Sequence, residues 1–204
     1  MHNVFISYHH ANDQEYKEAL IAMNGEGDDR VFIDGSVDTG DISDDLTDEA
    51  IREKIRDEYL RNTTVTIILV GTETKGRKHV DWETYSSMFD GTVNKKSGIL
   101  VVILPSVNPE PCYTSAHAGE KEKIYPEQRN WVNIGDRVKY ENRYPFLPDR
   151  IIDNLLCKNM KISIVPWYKI YNNRENLQFL INATHDDRVN CDYDLSGSLR
   201  RQNS

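Results

Sequence analysis

The chain has 204 residues and a formal charge of −8 at pH 7, from 25 lysine and arginine residues against 33 aspartate and glutamate residues. Its length favours one domain with a single buried core, and an acidic balance without a basic run argues against nucleic-acid binding. Apolar runs such as 65–71 fall far short of the ~18 residues of a membrane span, and three cysteines without CxxC pairing indicate a reducing cytoplasm rather than a disulfide framework or a structural zinc site.

The first half of the chain alternates short β-rich runs with amphipathic stretches. Apolar residues recur at helical spacing from Tyr16 onward, and Asn12 or Asp13 is placed to cap that helix. In chain order, the predicted elements are a strand over 3–8, this first helix, a strand over 30–34, a Gly- and Asp-rich loop over 34–45, and a longer helix with Leu46, Ala50, Ile51, Ile55 and Tyr59 on one face.

The alternation continues in the second half. The predicted elements are a strand over 64–70, a polar loop over 71–79, a helix with Val80, Trp82, Tyr85, Met88 and Phe89 at apolar positions, strands over 98–104 and 161–165, and a last helix marked by Leu177, Leu180 and Ile181. Parallel strands are joined by right-handed crossovers, so this alternation predicts a doubly wound α/β fold. We expect a five-stranded parallel sheet in the order 2-1-3-4-5.

Two segments depart from the alternation. Residues 105–148 lack it, and their Tyr, Trp and Phe residues favour a packed insertion over a linker. Residues 185–204 are polar and are expected to fray. The sequence therefore predicts one domain over 1–184, with the insertion after strand four, followed by a polar carboxy-terminal tail.

Several common ligand-binding motifs of such sheets are missing. The sequence has no GxGxxG after the first strand and no GxxxxGK[ST], and it lacks the acidic positions of a response regulator. Ligands of open α/β sheets bind beyond the carboxyl ends of the strands, where the strand order reverses, which here is between strands one and three. The candidate residues near that point are Ser7, Tyr8, His9, His10, Asn12, Thr72, Thr74, Lys75, Arg77, His79, Asp81, Trp82 and Glu83.

Three features carry a family resemblance: the VFISY stretch at 4–8, an Asp–Gly loop after strand two, and the HVDWE stretch at 79–83. Together they resemble a TIR domain, in particular the bacterial TIR-like group of Thoeris anti-phage defence, over roughly 3–104. The resemblance implies a flavodoxin-like topology and an enzyme that cleaves the N-glycosidic bond of NAD⁺. Glu83 matches the catalytic glutamate of that family, whereas His79 stands where the family has an aromatic residue, usually Trp.

The resemblance also implies the partners and the remaining site residues. NAD⁺ is expected as a substrate, with no cofactor and no metal. The product is ADP-ribose, a cyclic isomer or a conjugate, and it activates a separate effector; self-association or a phage-derived activator is a further expected partner. One carboxylate suffices for this chemistry, because nicotinamide leaves as a neutral molecule from an oxocarbenium-like transition state. The expected substrate contacts are Ser7, Tyr8, His9, His10, Asp34, Thr72, His79 and Trp82.

Each of these features also has an ordinary structural interpretation. Glu83 is also consistent with a solvated glutamate in the first turn of a helix, Asp81 with a cap, and Trp82 with core packing. His79 and Glu83 lack a third metal ligand at matching spacing. Two other functions stay open: a non-catalytic TIR-like interaction module that uses the 34–45 loop, and an enzyme similar to nucleoside deoxyribosyltransferases.

Overall fold

A parallel β-sheet forms the centre of the computed structural model, which describes residues 1–35, 45–107 and 113–203. The strands of the described chain run in the order β2-β1-β3-β4-β5, and all adjacent pairs are parallel. This confirms the predicted fold class and strand order. The strands are β1 (His2–Ser7), β2 (Phe32–Asp34), β3 (Val65–Val70), β4 (Gly98–Ile103) and β5 (Ser163–Pro166).

Helices cover both faces of the sheet. In the described residues they are α1 (His10–Met23), α2 (Asp48–Lys54), α3 (Lys78–Met88), α4 (Glu120–Ile124), α5 (Arg137–Arg143), α6 (Asp149–Leu155) and α7 (Arg174–Asp187). Alternate strand residues bury opposite faces, so Val4 and Ile6 contact the layer of α1 and α7. Ile68 and Val70 contact α3 and α6 on the other side.

Two helix predictions need correction. The first helix begins at His10 with His9 as its N-cap, so Asn12 and Asp13 lie inside it. β1 ends at Ser7, and the chain turns into the helix within three residues, which leaves Asp13 buried against the sheet edge. The predicted long helix after the 34–45 loop changes its winding: α2 ends at Lys54, and residues 55–59 continue as a π-helical turn.

The long stretch after β4 is packed onto the fold. Tyr125, Tyr140 and Tyr144 are buried, as expected for a packed insertion. Thr114 pairs antiparallel with Ile164 of β5 through two backbone hydrogen bonds of 2.9 Å. The insertion is therefore attached to the outer edge of the sheet, beyond the last parallel strand.

The expectation of a frayed tail is wrong. α7 continues to Asp187, and the following chain folds back over the α2 and α3 layer. Cys191 and Leu199 are buried, and the Tyr193 hydroxyl donates to the carbonyl of Ser97. We refer below to residues 197–203 as the carboxy-terminal segment. Its backbone polar groups find partners on α2 and α3, which a polar composition alone does not reveal.

Across the described ranges, none of the helices combines the length and apolar character needed to cross a membrane.

Candidate active site

The sheet brings the ends of β1 and β3 together where the strand order reverses. Ser7, the last residue of β1, lies in register with Ile68 of β3. β3 ends two residues later at Val70, and the chain reaches α3 through a loop over 71–77. Phe5 and Ser7 point to the same side of the sheet because strand side chains alternate, and α3 packs on that side.

Ser7 and Glu83 form a buried pair at this point. The Ser7 hydroxyl donates to Glu83 Oε2 over 2.6 Å, and the two residues are 0% and 4% exposed. This distance is at the short end of the range for a hydrogen bond from a hydroxyl to an oxygen acceptor. Glu83 is the sixth residue of α3, so its interpretation as a solvated first-turn glutamate is wrong. A carboxylate fixed by a hydroxyl from another element has a defined orientation.

Asp13 is a second buried carboxylate at the same sheet edge. It lies against Gly71, directly after β3, where a Cβ atom would overlap with both of its carboxylate oxygens. Burial raises the pKa of Asp13, and hydrogen bonds from the His9 backbone and the Thr74 side chain act in the opposite direction. Oδ2 has no hydrogen-bond partner among the described residues. The sequence pattern indicates only a capping role for Asp13, because Gly71, which Asp13 contacts, lies 58 residues further along the chain.

Thr74 ties the loop between β3 and α3 into a fixed shape. Its hydroxyl accepts a hydrogen bond of 2.8 Å from the Gly71 backbone N–H, and the same oxygen lies 3.4 Å from the Leu69 carbonyl. Thr74 is buried, whereas Thr72 is exposed. The structure therefore assigns the polar anchoring of this loop to Thr74, a candidate of the sequence analysis, and leaves Thr72 on the surface.

Tyr8, His9 and His10 form the rim next to this edge. Tyr8 is 7% exposed and packs in the apolar layer of α1 and α7, whereas His9 is half-buried and His10 is exposed. The Tyr8 hydroxyl donates to Gln14 Oε1 over 2.5 Å, and its ring stacks on His10 with centroids 4.4 Å apart. His9 Nδ1 lies 3.9 Å from a carboxylate oxygen of Glu73. Burial, and then the nearby charges of Arg77 and His10, lower the pKa of His9. These effects favour the neutral imidazole, which can donate one hydrogen bond and accept another.

Trp82 and His79 lie on α3 but differ in accessibility. Trp82 is fully buried, its indole N–H donates to the Arg200 carbonyl over 2.7 Å, and the His79 ring contacts it edge-on at 5.2 Å. The packing interpretation of Trp82 is confirmed. A ring without exposed surface has no open face for a substrate, so this structure does not support the expected substrate contact of Trp82.

Asp34 lies farther from the Ser7–Glu83 pair. It ends β2 in register with Val4, three residues before Ser7 along β1, and its side chain is exposed. Most of the predicted 34–45 loop, residues 36–44, lies outside the described residues. In the ranges that the structure does describe, no three His, Cys, Asp or Glu side chains are grouped closely enough to hold a metal ion.

A buried ion pair holds α3 from the opposite side. Arg150 of α6 binds both carboxylate oxygens of Asp81, at 2.8 and 3.1 Å, and the Arg200 backbone N–H donates to the same carboxylate. The capping interpretation of Asp81 is wrong, since Asp81 is the fourth residue of α3. The first helical N–H, that of Lys78, instead binds the side-chain oxygen of Asn203.

Fold and site together define a doubly wound α/β protein with a buried, hydroxyl-bound glutamate at the point where its strand order reverses. The family model described as "Thoeris protein ThsB, TIR-like domain" matches residues 5–109, just over half of the 204-residue chain. The chain belongs to this Thoeris TIR-like family, and this membership implies a role in anti-phage defence. No curated protein and no solved structure matches the chain.

Proposed function

We propose that this protein cleaves the nicotinamide–ribose bond of NAD⁺ and that Glu83 is its catalytic carboxylate. The observation that carries the proposal is the buried hydrogen bond of 2.6 Å between Ser7 and Glu83 at the reversal point of the sheet. The family of this chain is compatible with NAD⁺ cleavage in general. Glu83 supplies the one carboxylate that this reaction needs, and it lies where ligands of such sheets bind.

Glu83 stabilises the positive charge that develops on the ribose during the reaction. As the bond between ribose C1′ and the pyridinium nitrogen breaks, its electron pair leaves with nicotinamide, which becomes neutral. Positive charge then builds on the ribose, and a preorganised carboxylate stabilises it. Water attack on C1′, with loss of a proton, gives ADP-ribose, whereas attack by a nucleophile of the same molecule gives a cyclic isomer.

Ser7 is a positioning residue in this mechanism. Its hydroxyl donates to Glu83 Oε2 and fixes the carboxylate relative to β1. Tyr8, His9 and His10 follow directly in the chain and line the same edge. We propose that this rim contacts the phosphates or the ribose, with His9 neutral and able to share a hydrogen bond.

The proposed biological role is the production of a nucleotide signal. On this proposal the ADP-ribose derivative activates a separate effector during phage infection, in the cytoplasm. The support is membership of a Thoeris family, which is consistent with NAD⁺ use and an effector partner.

The direct test is nicotinamide release from NAD⁺ by the purified full chain, followed by chromatography with mass spectrometry of the nucleotide product. The Glu83→Gln variant is compared with Glu58→Gln, a matched change at an exposed glutamate of the π-helical turn. We expect Glu83→Gln to lower the rate at least about 100-fold, the scale for loss of one preorganised electrostatic group. Glu58→Gln should keep the wild-type rate, and Ser7→Ala should lower it without abolishing it.

Two results would contradict the proposal. Equal rates for wild type and Glu83→Gln would remove Glu83 from the chemistry. Absence of nicotinamide release at high protein concentration would instead favour the interaction module. Parallel incubation with free nucleosides tests the deoxyribosyltransferase alternative, because base exchange there does not need the NAD⁺ pyridinium.

A further inference from the structure

A cavity lies beside the outer edge of the sheet, beyond β5 and away from the candidate active site. It has a volume of about 340 Å³ and lies between the insertion and the residues around β5. The segment 113–116, which pairs with β5 through Thr114, forms one wall, and α5 contributes Tyr140 and Arg143 to another. β4 and β5 separate this edge from β3 and the candidate active site. Its size is within the range of small-molecule sites.

The charge of this cavity is opposite to that of the chain. Lys121 and Arg143 are the charged residues in its lining, which contains no aspartate or glutamate, although the whole chain carries a formal charge of −8. Neither cation has an ion pair within the described ranges, whereas Arg137 of α5 and Arg150 of α6 are both paired with carboxylates. Two unpaired cations that line one cavity favour an anionic ligand.

Buried donors point to the same conclusion. Arg143 Nε and the Ser115 hydroxyl are both shielded from solvent, and neither has a hydrogen-bond partner among the residues that the structure describes. A buried donor without an acceptor costs about 1–3 kcal/mol. Oxygen atoms of a bound anion would satisfy both groups, and a phosphate offers several acceptors at once.

The rest of the cavity wall is aromatic and apolar. The Tyr113 and Trp131 rings meet edge-to-face at 5.7 Å, and the Lys121 ammonium lies 4.6 Å from the centre of the Trp131 ring. Tyr140 and Ile162 contribute further apolar surface. Such a wall can pack against a planar ring of a ligand, while Lys121 and Arg143 can bind an anionic group of the same ligand.

We propose that this cavity binds a phosphate monoester of a molecule that also contains a planar ring. A phosphate monoester has a charge of about −1.5 to −2 at pH 7, which matches Lys121 and Arg143 together better than a single carboxylate does. Ser115 supplies a hydroxyl donor, and Trp131 and Tyr113 contact the ring. The inference does not depend on the proposed function at Glu83. Mononucleotides and aryl phosphates share this chemistry.

The test is calorimetric titration of the full chain with four probes: adenosine monophosphate, phosphotyrosine, adenosine and inorganic phosphate. We expect adenosine monophosphate or phosphotyrosine to bind at least about tenfold more tightly than adenosine or inorganic phosphate alone. The tighter of these two monoesters shows whether the ligand is a mononucleotide or an aryl phosphate. Binding should also change the fluorescence of Trp131, which is partly exposed, whereas Trp82 and Trp167 are buried. The Trp131→Phe variant should lose this fluorescence change.

Matched variants locate the binding. Lys121→Gln, at an exposed position, and Arg143→Gln should each weaken binding of the phosphate monoester at least about tenfold. Arg129→Gln, at an exposed arginine that does not line the cavity, should leave its affinity unchanged. Thermal melts verify that each variant is folded. No binding at millimolar probe, equally tight binding of inorganic phosphate, or unchanged affinity in Lys121→Gln would overturn the proposal.

Discussion

Leu199 anchors the carboxy-terminal segment to the layer of α2 and α3, so its truncation tests whether that segment is part of the fold. The residue is 4% exposed. Its backbone N–H also donates to Asp48 of α2 over 3.1 Å. The Leu199 side chain shares a cluster with Phe5, Ile51, Ile55, Leu60 and Trp82.

The cost of Leu199→Ala follows from the buried volume. The substitution removes three carbon atoms at about 0.8 kcal/mol per buried methylene, or roughly 2.4 kcal/mol. A residual cavity brings measured leucine-to-alanine costs to about 2–5 kcal/mol. Hydrogen bonds from Leu199 and Arg200 to Asp48 and Asp81 restrict collapse of the segment into the space. We therefore expect a loss of about 3 kcal/mol in the free energy of unfolding. At about 2–4 °C per kcal/mol, the melting temperature falls by about 6–12 °C.

The measurement is urea unfolding followed by tryptophan fluorescence and circular dichroism. Leu156→Ala is the matched control, because Leu156 is 39% exposed at the end of α6. A surface change of this kind is expected to stay within about 0.5 kcal/mol of wild type. If the two variants lose the same stability, the carboxy-terminal segment is not packed as described, and the assignment of its contacts is refuted.

Three further predictions concern other parts of the fold. A Cβ atom on Gly98 would overlap with a backbone carbonyl of α7, so Gly98→Ala should cost about 1–3 kcal/mol in a thermal melt, whereas Gly135→Ala, with open space around it, should not. Arg150→Met leaves the Asp81 carboxylate, whose side chain is 13% exposed, without its cation. A chemical unfolding curve should show a loss of about 3–5 kcal/mol, and a loss below 1 kcal/mol would contradict this. Burial raises the folded-state pKa of Asp13 above its ordinary 3.8, so ionisation of this carboxyl group destabilises the fold. The loss of stability is absent below pH 3.8 and grows as pH rises through the folded-state pKa. Asp13→Asn should therefore gain stability relative to wild type between about pH 3.5 and pH 7 in urea unfolding, and a constant difference would exclude this cause.

The sheet was predictable because its signals are local. Continuous apolar runs such as 98–104 can only be buried on both faces, and the alternation with helices then restricts strand order. The observed strand limits differ from the predicted ones by at most two residues. The π-helical turn over 55–59 was not predictable in this way. Ile55 and Tyr59 fit a helical spacing whether the backbone winds as an α-helix or a π-helix.

The candidate site was predictable only in its topology. Strand order places Ser7 near the start of α3, but no local pattern shows that its hydroxyl reaches Glu83, 76 residues away. The bond from Trp82 to Arg200 spans 118 residues, and the pairing of Asp81 with Arg150 spans 69. The tail was misjudged for the same reason, since its polar composition conceals the long-range partners of its backbone.

The position of α3 depends on chain segments outside the residues that the family model matches. The match ends at residue 109, whereas Arg150 and Arg200, which bind Asp81, both lie beyond it. A chain cut at 109 would also lack β5 and leave β4 as an open edge, which invites pairing with other chains. Asp81 stands two residues before Glu83 on the same helix, so loss of its partners would loosen the element that presents the candidate catalytic carboxylate. The second half of this chain therefore acts as structural support for a site whose two central residues both lie in the first half.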